Sequence, residues 1–201
     1  MAIINGKRQF KSEVADMKQL LFVHCAGSQS PGKGSGSLLA YLQSELAKEY
    51  ELHAPLMPNP ENPSYAAWKE ALRKEFALLR DGVVLVGHSL GGSVLLKMFA
   101  EQKISVKAAG LLLLAAPKWG ADEDWQSEEY ALPQSIAAIS PVLPKVILYH
   151  SKDDPVVSFR HAELYLQDIP GAELRTFMDK GHYFQRPNAS LPEDIRSLGS
   201  A

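Results

Sequence analysis

Val83-Val84-Leu85-Val86-Gly87-His88-Ser89-Leu90-Gly91-Gly92 is the stretch on which the reading of the fold turns. It opens as a continuous apolar run, the pattern of a parallel strand buried on both faces. It then passes through Gly87-x-Ser89-x-Gly91. From Leu90 to Gln102 it takes on helical spacing, with Val94, Leu95 and Met98 on the inward side. A Gly-x-Ser-x-Gly match arises by chance in a chain of this length roughly 7% of the time, so its place in the chain carries the weight. A strand-to-helix junction is where a nucleophile elbow forms. There a sharp turn strains the serine backbone, and the positions two before and two after must be small. Gly87 and Gly91 satisfy this. Ser89 would project at the positive end of the following helix, where developing negative charge is favoured. The competing reading is a glycine-rich turn of a dinucleotide-binding sheet. His88 is expected to be a packing or supporting residue, because adjacent side chains on such a turn diverge.

The elements on either side alternate. Leu20–His24 reads as a strand that ends in the turn residues Gly27 to Gly32. Leu38, Leu39, Leu42 and Leu46 mark a helix, and Glu51–Pro55 a short strand stopped by the Pro-rich loop 55–63. Ser64 is placed to cap a helix that carries Tyr65, Trp68, Leu72, Phe76 and Leu79. Beyond the elbow come a strand at Ala109–Ala115, an irregular acid-rich stretch from Pro117 to Pro141, and a strand at Val146–Tyr149. A helix at Ser158–Gln167, a strand at Glu173–Met178 and a closing helix at Leu191–Leu198 complete the chain. Six strands alternating with helices predict a mainly parallel sheet covered on both faces. Ligands of such sheets lie at the carboxyl ends of the strands. One domain spanning 1–201 is expected, with 1–19 as an N-terminal extension.

The 201 residues are 46% hydrophobic, with a formal net charge of −2. That balance favours neither nucleic acid nor an anionic membrane as a partner. No apolar run approaches the roughly 18–20 residues of a membrane helix. The N-terminal MAIINGKRQF has no secretory pattern. Cys25 is the single cysteine, so no intramolecular disulfide can form, and a cytoplasmic location is expected.

A serine hydroxyl needs a base to take its proton, and the base needs a carboxylate to orient it. In an elbow fold the chain order is serine, acid, histidine. Of the histidines after Ser89, His182 follows the last strand in a Gly-His turn. His161 falls inside a helix and is expected at the surface, and His150 belongs to the acid loop. The acid lies in His150-Ser151-Lys152-Asp153-Asp154-Pro155. Asp154 is preferred over Asp153 because the following proline extends its backbone, which leaves Asp153 a turn or capping role. The oxyanion donors are expected to be the amides of Leu90 and Ala26. Cys25 reads as a buried structural residue. Trp119, Trp125 and Tyr183 are candidates for the substrate pocket. The acids of 122–129 read as a solvated loop face. No pattern calls for a metal or a cofactor.

The His24-Cys25-Ala26-Gly27 loop, Met57-Pro58-Asn59-Pro60 followed by Tyr65 and Trp68, the elbow, Ser151 to Val157 and Gly181-His182 together resemble the compact α/β-hydrolases of the YdeN and retinoblastoma-binding-protein-9 type. The resemblance implies an α/β-hydrolase fold with minimal or no cap domain, and a triad on Ser89, Asp154 and His182. Two departures stand out. Cys25 replaces a common glycine, and the L-x-C-x-E motif is missing, since Val23 and Gly27 flank Cys25; retinoblastoma binding is therefore not implied. The leading expectation is a serine hydrolase of small carboxylic esters acting through an acyl-enzyme. The alternatives are a thioesterase, amidase or acyltransferase with the same triad, or a protein-interaction module that carries one.

Overall fold

The structure, a computed structural model, describes residues 17–133, 135–185 and 189–200. Six strands, β1 (Lys18–Val23), β2 (Tyr50–His53), β3 (Val84–His88), β4 (Gly110–Leu114), β5 (Lys145–Ser151) and β6 (Glu173–Phe177), form one sheet. Their order is β2-β1-β3-β4-β5-β6, and every neighbouring pair is parallel. The helices are α1 (Gly36–Leu46), α2 (Tyr65–Phe76), α3 (Leu90–Ala100), the single turn α4 (Ile136–Ile139), α5 (Arg160–Asp168) and α6 (Ser190–Leu198). This is an α/β-hydrolase fold, as expected. Strand order reverses between β1 and β3, so the elbow after β3 stands at the switch point where open sheets of this kind form their crevice.

Alternation along the strands builds two cores. Leu21, Val23, Leu85, Leu111, Leu113 and Leu148 face α2, α3 and α5. Leu20, Phe22, Val84, Val86, Leu112 and Ile147 face α1 and α6. β3 and β4 are buried at every position, which explains their unbroken apolar sequence. Ser64 caps α2 as expected, its hydroxyl accepting the Ala67 amide at 3.4 Å. The expected extension, 1–19, lies outside the described residues up to position 16. Lys18 and Gln19, assigned to it, are part of β1.

The long connection after β4 is laced down. Ser93 and Tyr165 both donate to the Pro117 carbonyl, at 2.9 and 2.7 Å. Lys97, buried on α3, donates to the Glu129 carbonyl at 2.6 Å, and the Glu129 carboxylate accepts the Tyr65 amide at 2.6 Å. The acids of this stretch were expected to face solvent. Glu123, Asp124, Glu128 and Glu129 are exposed and Asp122 is half-buried; Asp122 accepts the Trp125 amide at 3.1 Å, and Glu129 reaches the start of α2 to accept the Tyr65 amide. Among the described residues no helix is long and apolar enough to cross a membrane.

Candidate active site

Four strand ends converge on the site: β1 with Ala26, β3 with Ser89, β5 with Asp154 and β6 with His182. Ser89 has φ 52° and ψ −120°, a conformation that costs a non-glycine residue about 1–3 kcal/mol. The surroundings enforce it. Its amide donates to the Leu114 carbonyl at 2.7 Å, and its carbonyl accepts the Gly92 amide at 3.0 Å. A Cβ on Gly87 would meet the Gly92 Cα at 2.5 Å, and one on Gly91 would meet the His24 carbonyl oxygen at 2.6 Å. The two glycines therefore let strand and helix close tightly around the serine.

The amides of the β1 loop sort themselves. Cys25 N–H donates to Ser35 Oγ at 2.9 Å, and Gly27 N–H to the Pro60 carbonyl at 2.7 Å. The Ala26 amide between them has no acceptor among the described residues. Nor has the Leu90 amide, one of the unpaired donors that open a helix. The Met-Pro-Asn-Pro loop fixes this arrangement, with the Gln29 side chain accepting the Met57 amide at 2.8 Å and Trp68 donating to the Pro58 carbonyl at 2.9 Å.

His182 Nδ1 lies 2.9 Å from Asp154 Oδ2. The Asp154 carboxylate is wholly shielded from solvent. Its Oδ1 accepts the amides of Val156 and Val157 at 2.8 and 2.9 Å, and His150 Nε2, which donates to the Val157 carbonyl, stands 3.4 Å from Oδ2. Burial works to raise the carboxyl pKa, but the bonds from His150, His182 and the Val157 amide outweigh it and hold the group well below the carboxylate range. His182 Nε2 has no hydrogen-bond partner among the described residues. Ser89 Oγ makes none with it here; contacts of this kind often tighten only when substrate is bound.

Asp153 does more than turn the chain. Its Oδ1 accepts the Gly181 amide at 2.9 Å, beside His182, and the Ser151 hydroxyl. His88 is fully buried, with Nδ1 2.8 Å from Ser35 Oγ and Nε2 2.8 Å from the His182 carbonyl. Ser35 was not anticipated, since a serine among glycines before a helix reads as a cap. Here it leaves the cap unmade. Cys25 is buried, as expected, and burial pushes its thiol pKa up.

Tyr183 is 37% exposed and sets its ring edge-on to His182, centroids 5.0 Å apart. Trp119 and Trp125 pack on each other at 5.1 Å, and Trp119 stacks on Tyr130 at 4.9 Å. Trp119 also lines a cavity of about 320 Å³ between α3 and α5, with Ser93, Leu96 and Tyr165; neither Ser89 nor His182 lines it. His161 was expected at the surface and is 1% exposed. Its Nδ1 accepts the Lys118 amide at 3.0 Å, and its Nε2 lies 2.8 Å from Asp122 Oδ2, out of line for a good hydrogen bond. The reason is that α5 turns this face toward the 117–130 segment, not toward water. No group of residues that could hold a metal ion occurs among the described residues.

A family model described as serine hydrolase matches residues 35–189, well over half of the chain and a span that contains Ser89, Asp154 and His182. The chain belongs to the serine hydrolase family. It is an enzyme, and its fold relatives are hydrolases. The ydeN gene product of B. subtilis superposes with a TM-score of 0.72 at 21% identity, covering 92% of this hydrolase and 100% of that chain. A YdeN-like hydrolase from Pectobacterium atrosepticum gives 0.67 at 15% identity and covers 96% of each. The esterase RhEst1 from Rhodococcus sp. gives 0.66 at 17% identity, over 92% of this hydrolase and 91% of the esterase. No curated protein sequence matches the chain.

Proposed function

We propose that the protein hydrolyses small carboxylic esters through Ser89, His182 and Asp154. The observation that carries this reading is the His182–Asp154 bond of 2.9 Å, with the opposite ring nitrogen uncommitted, at strand ends next to a strained serine. Ser89 Oγ attacks the acyl carbon while His182 Nε2 takes its proton. The oxyanion forms against the amides of Leu90 and Ala26. His182 then returns the proton to the departing alkoxide, leaving an acyl-enzyme. Water attacks the acyl carbon with His182 again as base, and the acid and free Ser89 are regenerated. Asp154 holds the imidazole in the tautomer that keeps Nε2 open and stabilises the imidazolium.

The alcohol and acid are small molecules, and the acyl group is short. The segment from Pro117 to Pro141 is the stretch long enough to roof the site, and it is pinned to α2, α3 and α5 at Glu129 and Pro117. A long acyl chain gains about 0.8 kcal/mol per buried CH₂ only where an apolar tunnel receives it. Trp119, Trp125 and Tyr183 are proposed to bound the acyl side. The lone, buried Cys25 fits a reducing, cytoplasmic setting.

One experiment tests the reading in two arms. Fluorophosphonate should label the wild type and not Ser89→Ala. With p-nitrophenyl esters, kcat/KM should peak at about two to six carbons and then fall. Full labelling of Ser89→Ala would remove the mechanism. A steady rise beyond about ten carbons would reveal a deep acyl site and remove the short-chain assignment.

A further inference from the structure

We infer that His88 and Ser35 are positioning residues for this reaction. Through a buried hydrogen-bonded chain they join the loop that offers the Ala26 amide to the backbone of His182, and so keep the oxyanion donor and the base in register. The inference rests on the Ser89–His182–Asp154 reading and adds to it two residues that touch no substrate.

The chain has one direction, and chemistry sets it. The His182 carbonyl, 2.8 Å from His88 Nε2, can only accept, so the His88 proton is on Nε2. Burial holds the imidazole neutral, its pKa pushed down to about 3. Nδ1 is therefore a lone pair, and Ser35, 2.8 Å away, must donate to it. A hydroxyl has one proton. Ser35 Oγ consequently acts as acceptor toward Cys25, from the amide at 2.9 Å and from the thiol at 3.0 Å. Burial keeps that thiol protonated. Each proton of the chain, on the Cys25 amide and thiol, the Ser35 hydroxyl and His88 Nε2, thus has one acceptor.

Both ends matter. At one end Cys25 is held by Ser35 and Gly27 by the Pro60 carbonyl, so the Ala26 amide between them is aimed by its neighbours. At the other end the His182 ring is held by Asp154, its carbonyl by His88, and the preceding Gly181 amide by Asp153. Gly181 and Phe184 on either side have positive φ, 56° and 48°, so this turn holds its shape by such tethers and not by regular structure. His88 also adjoins Ser89 in the chain. A misplacement of about 1 Å between reacting groups costs on the order of a hundredfold.

The test uses the full chain and p-nitrophenyl butyrate, with Ser89→Ala as reference. His88→Leu should lower kcat about a hundredfold and leave KM within about threefold, because the brace acts when charge develops and not when substrate docks. His88→Gln, whose amide N–H can reach the His182 carbonyl, should recover to within about tenfold of wild type. Ser35→Ala, which leaves the His88 bond to the His182 carbonyl in place, should cost about tenfold, and the double variant should be no worse than His88→Leu, which has already severed Ser35 from His182. If Ser89→Ala stays active, the underlying triad reading has failed. If Ser89→Ala is inactive while His88→Leu keeps kcat within about twofold, the positioning role has failed. Should His88→Leu not fold, His88→Gln and Ser35→Ala decide: equal, full activity in both would overturn the inference, and so would additive losses in the double variant of Ser35→Ala with His88→Gln.

Discussion

Two histidines of this protein each stand against an aspartate, and they do opposite things. His182 Nδ1 meets Asp154 Oδ2 at 2.9 Å, and His161 Nε2 meets Asp122 Oδ2 at 2.8 Å. Distance does not separate them. The second nitrogen does. In His161 it accepts the Lys118 amide, which ties the 117–125 segment to α5. In His182 it has no partner among the described residues. The carboxylates differ too. Asp154 is wholly shielded and accepts two amides beside the imidazole, whereas Asp122 is 37% exposed and reaches its histidine out of line. A base requires one uncommitted nitrogen and an oriented, buried carboxylate; a histidine beside an acid is not by itself a catalytic signature.

Exchanging each aspartate for asparagine separates the two pairs most sharply. With Oδ1 still accepting the Val156 and Val157 amides, Asp154→Asn turns an NH₂ toward His150 and His182, which forces His182 into the wrong tautomer. Turnover should fall by roughly 10³–10⁴. Asp122→Asn should change kcat by no more than about threefold while lowering the melting temperature. Equal losses of turnover in the two variants would erase the distinction.

Part of this contrast was legible in the sequence. The proposed triad of Ser89, Asp154 and His182 was picked out locally, through two glycines, a following proline and a Gly-His turn after a strand. Leu90 and Ala26 follow from the elbow and from β1. His161 was misplaced because helical spacing says nothing about which neighbour covers a face, and its partners Lys118 and Asp122 lie some forty residues away on an irregular segment. Ser35 escaped for the same reason, and His88 was legible only as a packing or supporting residue without its partners: a polar side chain satisfied across the sheet looks, in one dimension, like a cap or a packing residue. The lacing of Glu129 to Tyr65 and of Lys97 to Glu129 had no periodic signal at all.

Acid sharpens the comparison from the side of stability. Burial lowers the pKa of His24, His88 and His161. Below the unfolded value of about 6.5, the unfolded chain binds protons that these folded imidazoles refuse, so stability is complete above pH 6.5 and declines as pH falls toward 3. Between pH 7 and 5, above the range in which most carboxylates titrate, His88 alone should account for about 2 kcal/mol. Urea denaturation at pH 7 and pH 5 measures this. His161→Gln should flatten the decline, and an unchanged slope would mean that the His161 tie is not held neutral.

The smallest effect concerns the neighbouring acid. Asp153 serves the same turn as Asp154, yet it grips the backbone of Gly181 and not the imidazole. An asparagine oxygen can still accept that amide, so Asp153→Asn should cost about tenfold or less in kcat. A loss as large as that of Asp154→Asn would exchange the roles of the two aspartates.

The burial of Cys25 gives the protein a built-in clock. Its sulfur is the single thiol of the chain, protonated and buried against Ser35, on the residue next to Ala26 in the same loop. An alkylating reagent reaches a thiol this buried only through a local opening of its surroundings. The rate at which the native protein takes up one equivalent of reagent therefore counts the openings of the loop that holds the proposed oxyanion donor, with no second thiol to blur the record.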